Sequence, residues 1–397
     1  MADLRASSSL LRARIDLDSV LELTRDLVRI PTRGGIDPYD DAVDHLGHWM
    51  AKKGLEPTVL RDGTGSAVAL TASVRGERTG PTWVLDACLD TAPFGDEAAW
   101  SRPPTGGDVH EGWLWGRGAA DSKSAVAVFC HLAARLRDET EHLRGDLVLL
   151  FDLDEHTGGF GGAERYFEGP GAPTDIGGVM IGYPGMDELV VGGRGVYRVR
   201  LRVHGRSSHS GGSRSTPNAI GKAAAIVRAL EEEPLPGPAE GFGPGKLTVT
   251  AIEGGAGFST VPDLCAVNVD VRTTTRFTGK EAADLVAAVV AEVDAAWSGT
   301  PSTLVEERTR WPAYALPERS PLRSALLGAA AEQGIDMAAK IAGPSNIGNY
   351  LAGLGIPATA GFGAVYEGLH ATDERVLVET IPLAQAVYDR AVRTLMG

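Results

Sequence analysis

The chain has 397 residues, 43% apolar and 23% charged, with three cysteines and a formal net charge of −14. That length exceeds one compact core, the composition is globular rather than disordered, and three cysteines cannot build a disulfide framework. The excess of 52 acidic over 38 basic residues argues against a nucleic-acid partner, which needs a basic surface. No run reaches the ~20 apolar residues that span a bilayer, and residues 1–9 lack the apolar stretch of a signal peptide. A cytoplasmic protein with reduced thiols and no membrane partner is expected.

The first periodic segment, residues 19–30, places Val20, Leu21, Leu23, Leu27 and Val28 on one face and stops at Pro31, which predicts a helix. A second helix is expected over 41–53. Strand patterns follow at 67–74 and 82–89, then an apolar helix at 124–136. Residues 146–153 have the unbroken hydrophobicity of a buried parallel strand. Strands alternating with helices in this way predict an α/β sheet covered on both faces.

The pattern changes near Gly192. Residues 196–203 alternate strictly, a helix is expected at 218–232, strands at 246–252 and 265–272, and a helix at 279–297. This β-α-β-β-α order predicts an inserted α+β unit of ferredoxin-like type, with the Pro-Gly-rich stretch 234–244 as a loop inside it. Helices at 320–333 and 381–396 return to the first domain. The expected boundaries are 1–192 and 304–397 for the two parts of the main domain and 193–303 for the insertion.

Four motifs sit just after strand-like runs, where α/β sheets present their ligands. They are Cys88-Leu89-Asp90, Gly116-Arg117-Gly118-Ala119-Ala120-Asp121-Ser122-Lys123, Asp154-Glu155-His156 and His370-Ala371-Thr372-Asp373-Glu374. In this order the G-R-G-x-x-D-x-K and H-x-x-D-E blocks resemble the M20 family of metallopeptidases and amidohydrolases, which includes aminoacylases, carboxypeptidases and desuccinylases. The resemblance runs over nearly the whole chain. Within the insertion, Gly205-Arg206-Ser207-Ser208-His209-Ser210 and Pro217-Asn218-Ala219-Ile220 are similar to the family's lid signature.

The resemblance implies a zinc-peptidase-like α/β catalytic domain with a ferredoxin-like lid, through which a homodimer would form. It also implies two zinc ions bridged by an aspartate and a water, with a separate glutamate as general base. Asp121 matches the bridging ligand, Glu155 the base, His370 a terminal ligand and Asp90 the carboxylate beside the metal site. His209 matches a histidine that stabilises the oxyanion in the neighbouring subunit, and Arg272, Asn218 and Asn346 match substrate-binding positions.

Three positions depart from the family pattern. Cys88 stands where a histidine is expected, His156 where a second glutamate is expected, and Tyr183 where an Asp or Glu ligand is expected. One site therefore becomes Asp121, His156 and His370, a His₂-carboxylate set acceptable to zinc. The other becomes Cys88, Asp121 and Tyr183, and neutral tyrosine, with an unperturbed pKa of about 10, is a poor ligand. One strong zinc site is expected, with the second weak or absent.

Simpler readings stand beside these. Cys88 can be a buried small hydrophobe, Asn218 a helix cap, and Arg272 a strand-end charge rather than a bidentate grip on a substrate carboxylate. Three functions remain in view. The first is an M20-like amide hydrolase with one metal, acting on a small N-acyl amino acid or dipeptide-like substrate. The second is metal-independent acyl transfer or cyclisation, with Cys88 as nucleophile and His156 or His370 as base. The third is a non-catalytic ligand-binding homologue. The hydrolase leads, and retention of Glu155, His209 and Arg272 weighs against the third reading.

Overall fold

The computed structural model describes residues 7–213 and 215–397; residues 1–6 of the polar start lie outside them. The chain forms two compact units. The first comprises Met1–Val191, Leu316–Lys340 and Gly355–Gly397, and the second Gly192–Ala315 with Ile341–Leu354.

The first unit opens with helix α1 (Ser8–Arg29), capped by Ser7, whose Oγ accepts the Leu10 N–H. It begins eleven residues before the periodic run at 19–30. Buried Leu10 and Ala13 extend the apolar face, while Arg12, Arg14, Asp16 and Asp18 interrupt the pattern. Two of these charges are paired, Arg12 with Asp389 (2.8 Å) and Asp16 with Arg135 (2.6 Å). The other end of α1 is held by the buried Lys123 amine, which donates to the carbonyls of Leu27 and Ile30 at 2.8 Å each. Burial pulls this amine down to about 7, and as a donor it satisfies carbonyls that have no partner within the helix.

Helix α2 (Asp40–Lys52) follows, then strands β1 (Thr58–Arg61), β2 (Ala67–Arg75) and β3 (Arg78–Cys88), helix α3 (Ser124–Leu136), and strands β4 (Arg144–Asp152) and β5 (Ile176–Ile181). The sheet order is β1-β2-β4-β3-β5, closed by the short strand Ala358–Thr359. β4 and β5 both run parallel to β3, whereas β2 lies antiparallel to both β1 and β4. Successive residues Val84 and Leu85 in β3, and Leu149 and Leu150 in β4, are all buried. Both faces of the sheet are therefore covered, which is why these strands read as continuous apolar runs.

The second unit contains β6 (Gly195–His204), α4 (Ala219–Glu232), β7 (Lys246–Gly254), β8 (Leu264–Thr273), α5 (Gly279–Ala296) and β9 (Leu304–Trp311). Its sheet is antiparallel throughout, in the order β7-β8-β6-β9. This β-α-β-β-α-β arrangement is ferredoxin-like. Val199, Leu201, Val267 and Val269 on one sheet face pack in a common core with Ala223 and Ile226 of α4 and Val286 and Val290 of α5. Between the two helices, the buried Lys222 Nζ meets Asp294 Oδ1 at 2.7 Å and donates to Thr300 Oγ1 and the Pro301 carbonyl. The chain then returns to the first unit through α6 (Pro321–Glu332) and ends in α7 (Ile381–Met396), whose Val387 and Val392 join the core that also holds Val20, Leu23 and Leu27 of α1. Among the described residues, no helix is long and apolar enough to cross a membrane.

Removing one partner of a buried ion pair typically costs about 3–5 kcal/mol. Asp294→Ala should therefore destabilise the second unit by about 3 kcal/mol, seen as a lower urea midpoint for that unit's transition. A loss below about 1 kcal/mol would show that the Thr300 and Pro301 contacts carry Lys222 without the carboxylate.

Candidate metal centre

Three adjacent parallel strands deliver the site within the first unit. Cys88 ends β3 and Asp90 follows it, Glu155 and His156 lie on the loop after β4, and Tyr183 lies just past β5. This is the carboxyl end of the sheet, where backbone loops splay and side chains converge. Asp121 and His370 come from two further loops of the same unit.

Asp121 is the centre. It is 3% exposed, and its two oxygens face different groups. Oδ2 accepts from His370 Nε2 at 2.9 Å and lies 3.5 Å from His156 Nε2. Oδ1 accepts from the Ser122 hydroxyl at 2.8 Å and from the Cys88 thiol at 3.4 Å. Burial alone would raise its pKa, but the hydrogen bonds and charges of His156 and His370 outweigh burial and hold the carboxyl well below its usual range.

Asp90 shapes the neighbouring loop. It is fully buried, and its oxygens accept the backbone N–H groups of Glu155 (3.2 Å) and His156 (2.9 Å). Its Oδ1 also lies 3.4 Å from His156 Nδ1. A carboxylate standing behind one ring nitrogen is a common arrangement behind metal-binding histidines. Glu155 is half-buried, and burial, followed by the charges of Asp121 and Asp90, pushes its carboxyl up to about 7. That value places it near neutrality, as a general base requires.

A divalent cation fits these residues. Donor atoms of Asp121, His156 and His370 all lie within 4.8 Å of one another, as do those of Cys88, Glu155 and His156. Both ring nitrogens of His156 are buried without a hydrogen-bond partner, an unusual state for a polar group. Burial would lower the proton affinity of this ring, but Cys88, Asp121 and Asp90 around it raise it. The cluster therefore attracts positive charge. Asp121, His156 and His370 provide one carboxylate and two imidazoles, a donor set suited to zinc.

Neither of the remaining two positions carries a charge of its own to attract a second cation. Cys88 is 7% exposed, and burial and then the Asp121 charge push its thiol up. The Tyr183 phenol is also raised, by burial first and then by Asp121, Glu155 and Cys88, so it is neutral at ordinary pH.

His209, Asn218, Arg272 and Asn346 lie in the second unit. His209 is exposed on a two-residue strand paired with Thr260–Val261, and its Nδ1 accepts the Gly211 N–H at 3.0 Å. With Nδ1 accepting, Nε2 is the ring's donor nitrogen. Asn218 caps α4 by accepting from Ile220 and Gly221, and Asn346 caps the short helix Ile347–Gly353 in a capping box with Asn349. Arg272 is engaged twice by Asp270, at 2.7 and 3.2 Å, and once by Ser345 at 3.3 Å. The bland readings of Asn218 and Arg272 thus have direct partners.

Two residues with large structural consequences had no assigned role in the sequence. Glu374 is fully buried and Arg117 nearly so, and they pair directly at 2.5 Å. Both stand inside the quoted motifs, but ligand spacing identifies donors to a metal rather than the groups that shape the loops.

The family model for peptidase family M20/M25/M40 matches residues 84–394. A succinyl-diaminopimelate desuccinylase of Cereibacter sphaeroides is 27% identical over 380 residues, covering 94% of this chain and 97% of the relative. A succinyl-diaminopimelate desuccinylase of Maricaulis maris is 27% identical over 394 residues, covering 95% and 96%. Among solved structures, the M20 family metallo-carboxypeptidase Sso-CP2 from Sulfolobus solfataricus aligns with a TM-score of 0.77 at 16% identity, covering 95% of this chain and 99% of that one. The YXEP protein of Bacillus subtilis, a dinuclear metal binding peptidase from the M20 family, aligns at 0.72 and 16%, covering 96% and 98%. These structures share the fold, including the inserted lid typical of the family. The chain belongs to peptidase family M20/M25/M40, a family of metal-dependent amide-bond hydrolases.

Proposed function

We propose that this protein hydrolyses the amide bond of a small N-acyl amino acid or dipeptide-like substrate, using one cation at Asp121, His156 and His370. The observation that carries the reading is the division of Asp121. One oxygen faces two histidines, while the other is occupied by two neutral donors, Cys88 and Ser122. A cation held by the three ligands would polarise the scissile carbonyl and acidify a water. Glu155 would accept the proton of the attacking water and return it to the departing amine. His209, with Nε2 as its donor, would stabilise the oxyanion, and Arg272, Asn218 and Asn346 would contact the substrate. The second metal position would be weak or absent, because a buried thiol and a neutral phenol replace its ligands.

The substrate class draws support from the relatives' names, desuccinylase and carboxypeptidase. Pairing of lids between two copies would bring the exposed His209 to a neighbouring subunit's site. Three free, buried cysteines are in keeping with a reducing compartment such as the cytoplasm.

Protein purified under metal-replete conditions should hold one zinc per chain, lost in Asp121→Asn and His370→Ala. Glu155→Gln should keep the zinc while lowering kcat on a cleaved acyl-amino acid by about 10²–10⁴-fold. Absence of bound metal in the replete protein, or turnover indifferent to chelators, would rule the reading out.

A nucleophilic Cys88 requires an accessible thiolate. Native protein should instead show no rapidly reacting thiol with a disulfide reagent at pH 7.5, and all three should react after denaturation. Chelator-insensitive activity abolished by alkylation of Cys88 would restore the acyl-transfer alternative.

A further inference from the structure

We infer that Arg117 and Glu374 form a positioning pair that holds Asp121 and His370 in one geometry and so sets the strength with which the site grips a cation. The inference rests on the proposed function for its metal but on the structure for its geometry.

The two ligands are separated by about 250 residues of chain, and each sits on irregular backbone. Gly118, at φ +83°, turns the chain ahead of Asp121, a conformation natural to glycine. His370 and Asp373 take positive φ values of 57° and 61°, which cost energy in residues with a side chain and persist only where the surroundings impose them.

The pair supplies that constraint. Glu374 Oε1 accepts three backbone N–H groups, from Gly118 (3.0 Å), Ala120 (3.0 Å) and Asp121 itself (3.1 Å). Its other oxygen accepts from Arg117 Nη1, and Arg117 Nη2 donates to the Ala371 carbonyl at 2.9 Å, one residue beyond His370. The Gly116 N–H also donates to the Glu374 carbonyl at 2.9 Å. One carboxylate therefore gathers the loop that presents Asp121, and one guanidinium ties that loop to the one presenting His370. The Asp373 carboxylate fastens the far side, accepting from the Ser101 N–H and hydroxyl at 2.7 Å each.

Such charge-assisted bonds are short and directional, and in a dry interior they hold their geometry. Substituting the partners that orient metal ligands typically costs 10–100-fold in metal affinity. Neither Arg117 nor Glu374 would touch metal or substrate, so both act through Asp121 and His370.

Glu374→Gln keeps an oxygen for the three amides but loses the charge that Arg117 grips. Competition titration of the full-length protein with zinc should show affinity weakened about 10–100-fold, with circular dichroism showing the metal-free protein still folded and its melting temperature lowered, as breaking a buried ion pair requires. Hydrogen exchange on that metal-free protein supplies a second readout. Exchange should rise together in residues 116–123 and 369–375, whereas a local structural role would loosen only the first segment. Should E374Q not fold, Arg117→Lys, which keeps the charge but not the fork, should show the same paired rise.

Unchanged zinc affinity with wild-type exchange in residues 369–375 would overturn the inference. If the wild-type protein itself binds no metal, the hydrolase reading fails, and the paired exchange response alone decides whether the two loops are coupled.

Discussion

A carboxylate buried to 3% exposure sets the terms for everything around it. An isolated ionised carboxylate is too costly to remove from water, so its surroundings must supply positive charge or donors to both oxygens. Among the described residues, donors meet the Asp121 carboxylate on both oxygens: two histidines on one, a hydroxyl and a thiol on the other. The same requirement reaches its own backbone, whose N–H is taken up by a second buried acid, Glu374, itself neutralised by Arg117. Charge alternates outward from the centre: histidine, Asp121, then by way of the loop backbone Glu374 and Arg117. Each layer makes the next one necessary.

The sheet makes this arrangement possible by ending three parallel strands side by side. β3 pairs with β4 and β5 along its length, so Cys88, the Glu155–His156 loop and Tyr183 emerge close together without any long-range search. Asp121 and His370 have no such help. They come from loops, and loops hold a ligand geometry only when their backbone groups are tied down. Asp90 performs that service for the Glu155–His156 loop, through two backbone N–H groups, as Glu374 does for Asp121.

Much of this was legible in the sequence, for physical reasons. Strands buried on both faces have no polar option, so β3 and β4 stood out as apolar runs. Helix α3 was read at its observed bounds, Ser124–Leu136. The first half of α1 was hidden by charges whose partners are distant in sequence, Asp389 and Arg135. Strand β9 was missed because few of its side chains are even partly buried, so Leu304–Trp311 carries no clean alternation. Its role is to complete the lid sheet by pairing with β6, a property of backbone that side-chain patterns do not encode. In the site, the family resemblance implied that Asp90, Asp121, Glu155, His156 and His370 belong together. It could not reveal that Arg272 is already held by Asp270, because that pair forms within a strand by a rotamer choice. Nor could it assign the Glu374 side chain, whose partners are mostly backbone amides.

The departures from the family pattern become coherent when counted as charge. The resemblance places a carboxylate at the positions of His156 and Tyr183, and a neutral histidine at Cys88. Replacing those two carboxylates with an imidazole and a phenol removes two negative charges, and a buried thiol in place of histidine adds none. One divalent cation carries two positive charges. A two-metal site that loses one cation and keeps all its carboxylates would carry two uncompensated negative charges in a dry pocket, a penalty of several kcal/mol for each ion. The same site that also loses two of those carboxylates stays balanced. On the proposed reading, the replacements at His156 and Tyr183 therefore offset the charge of one missing cation, while Cys88 leaves that balance unchanged. His156 has a further place in that balance: with Asp90 behind Nδ1 and Asp121 before Nε2, it gives the remaining cation a neutral ligand where the family would supply an anion. The retained cation would thereby keep more of its own charge, and with it more of its capacity to polarise a carbonyl.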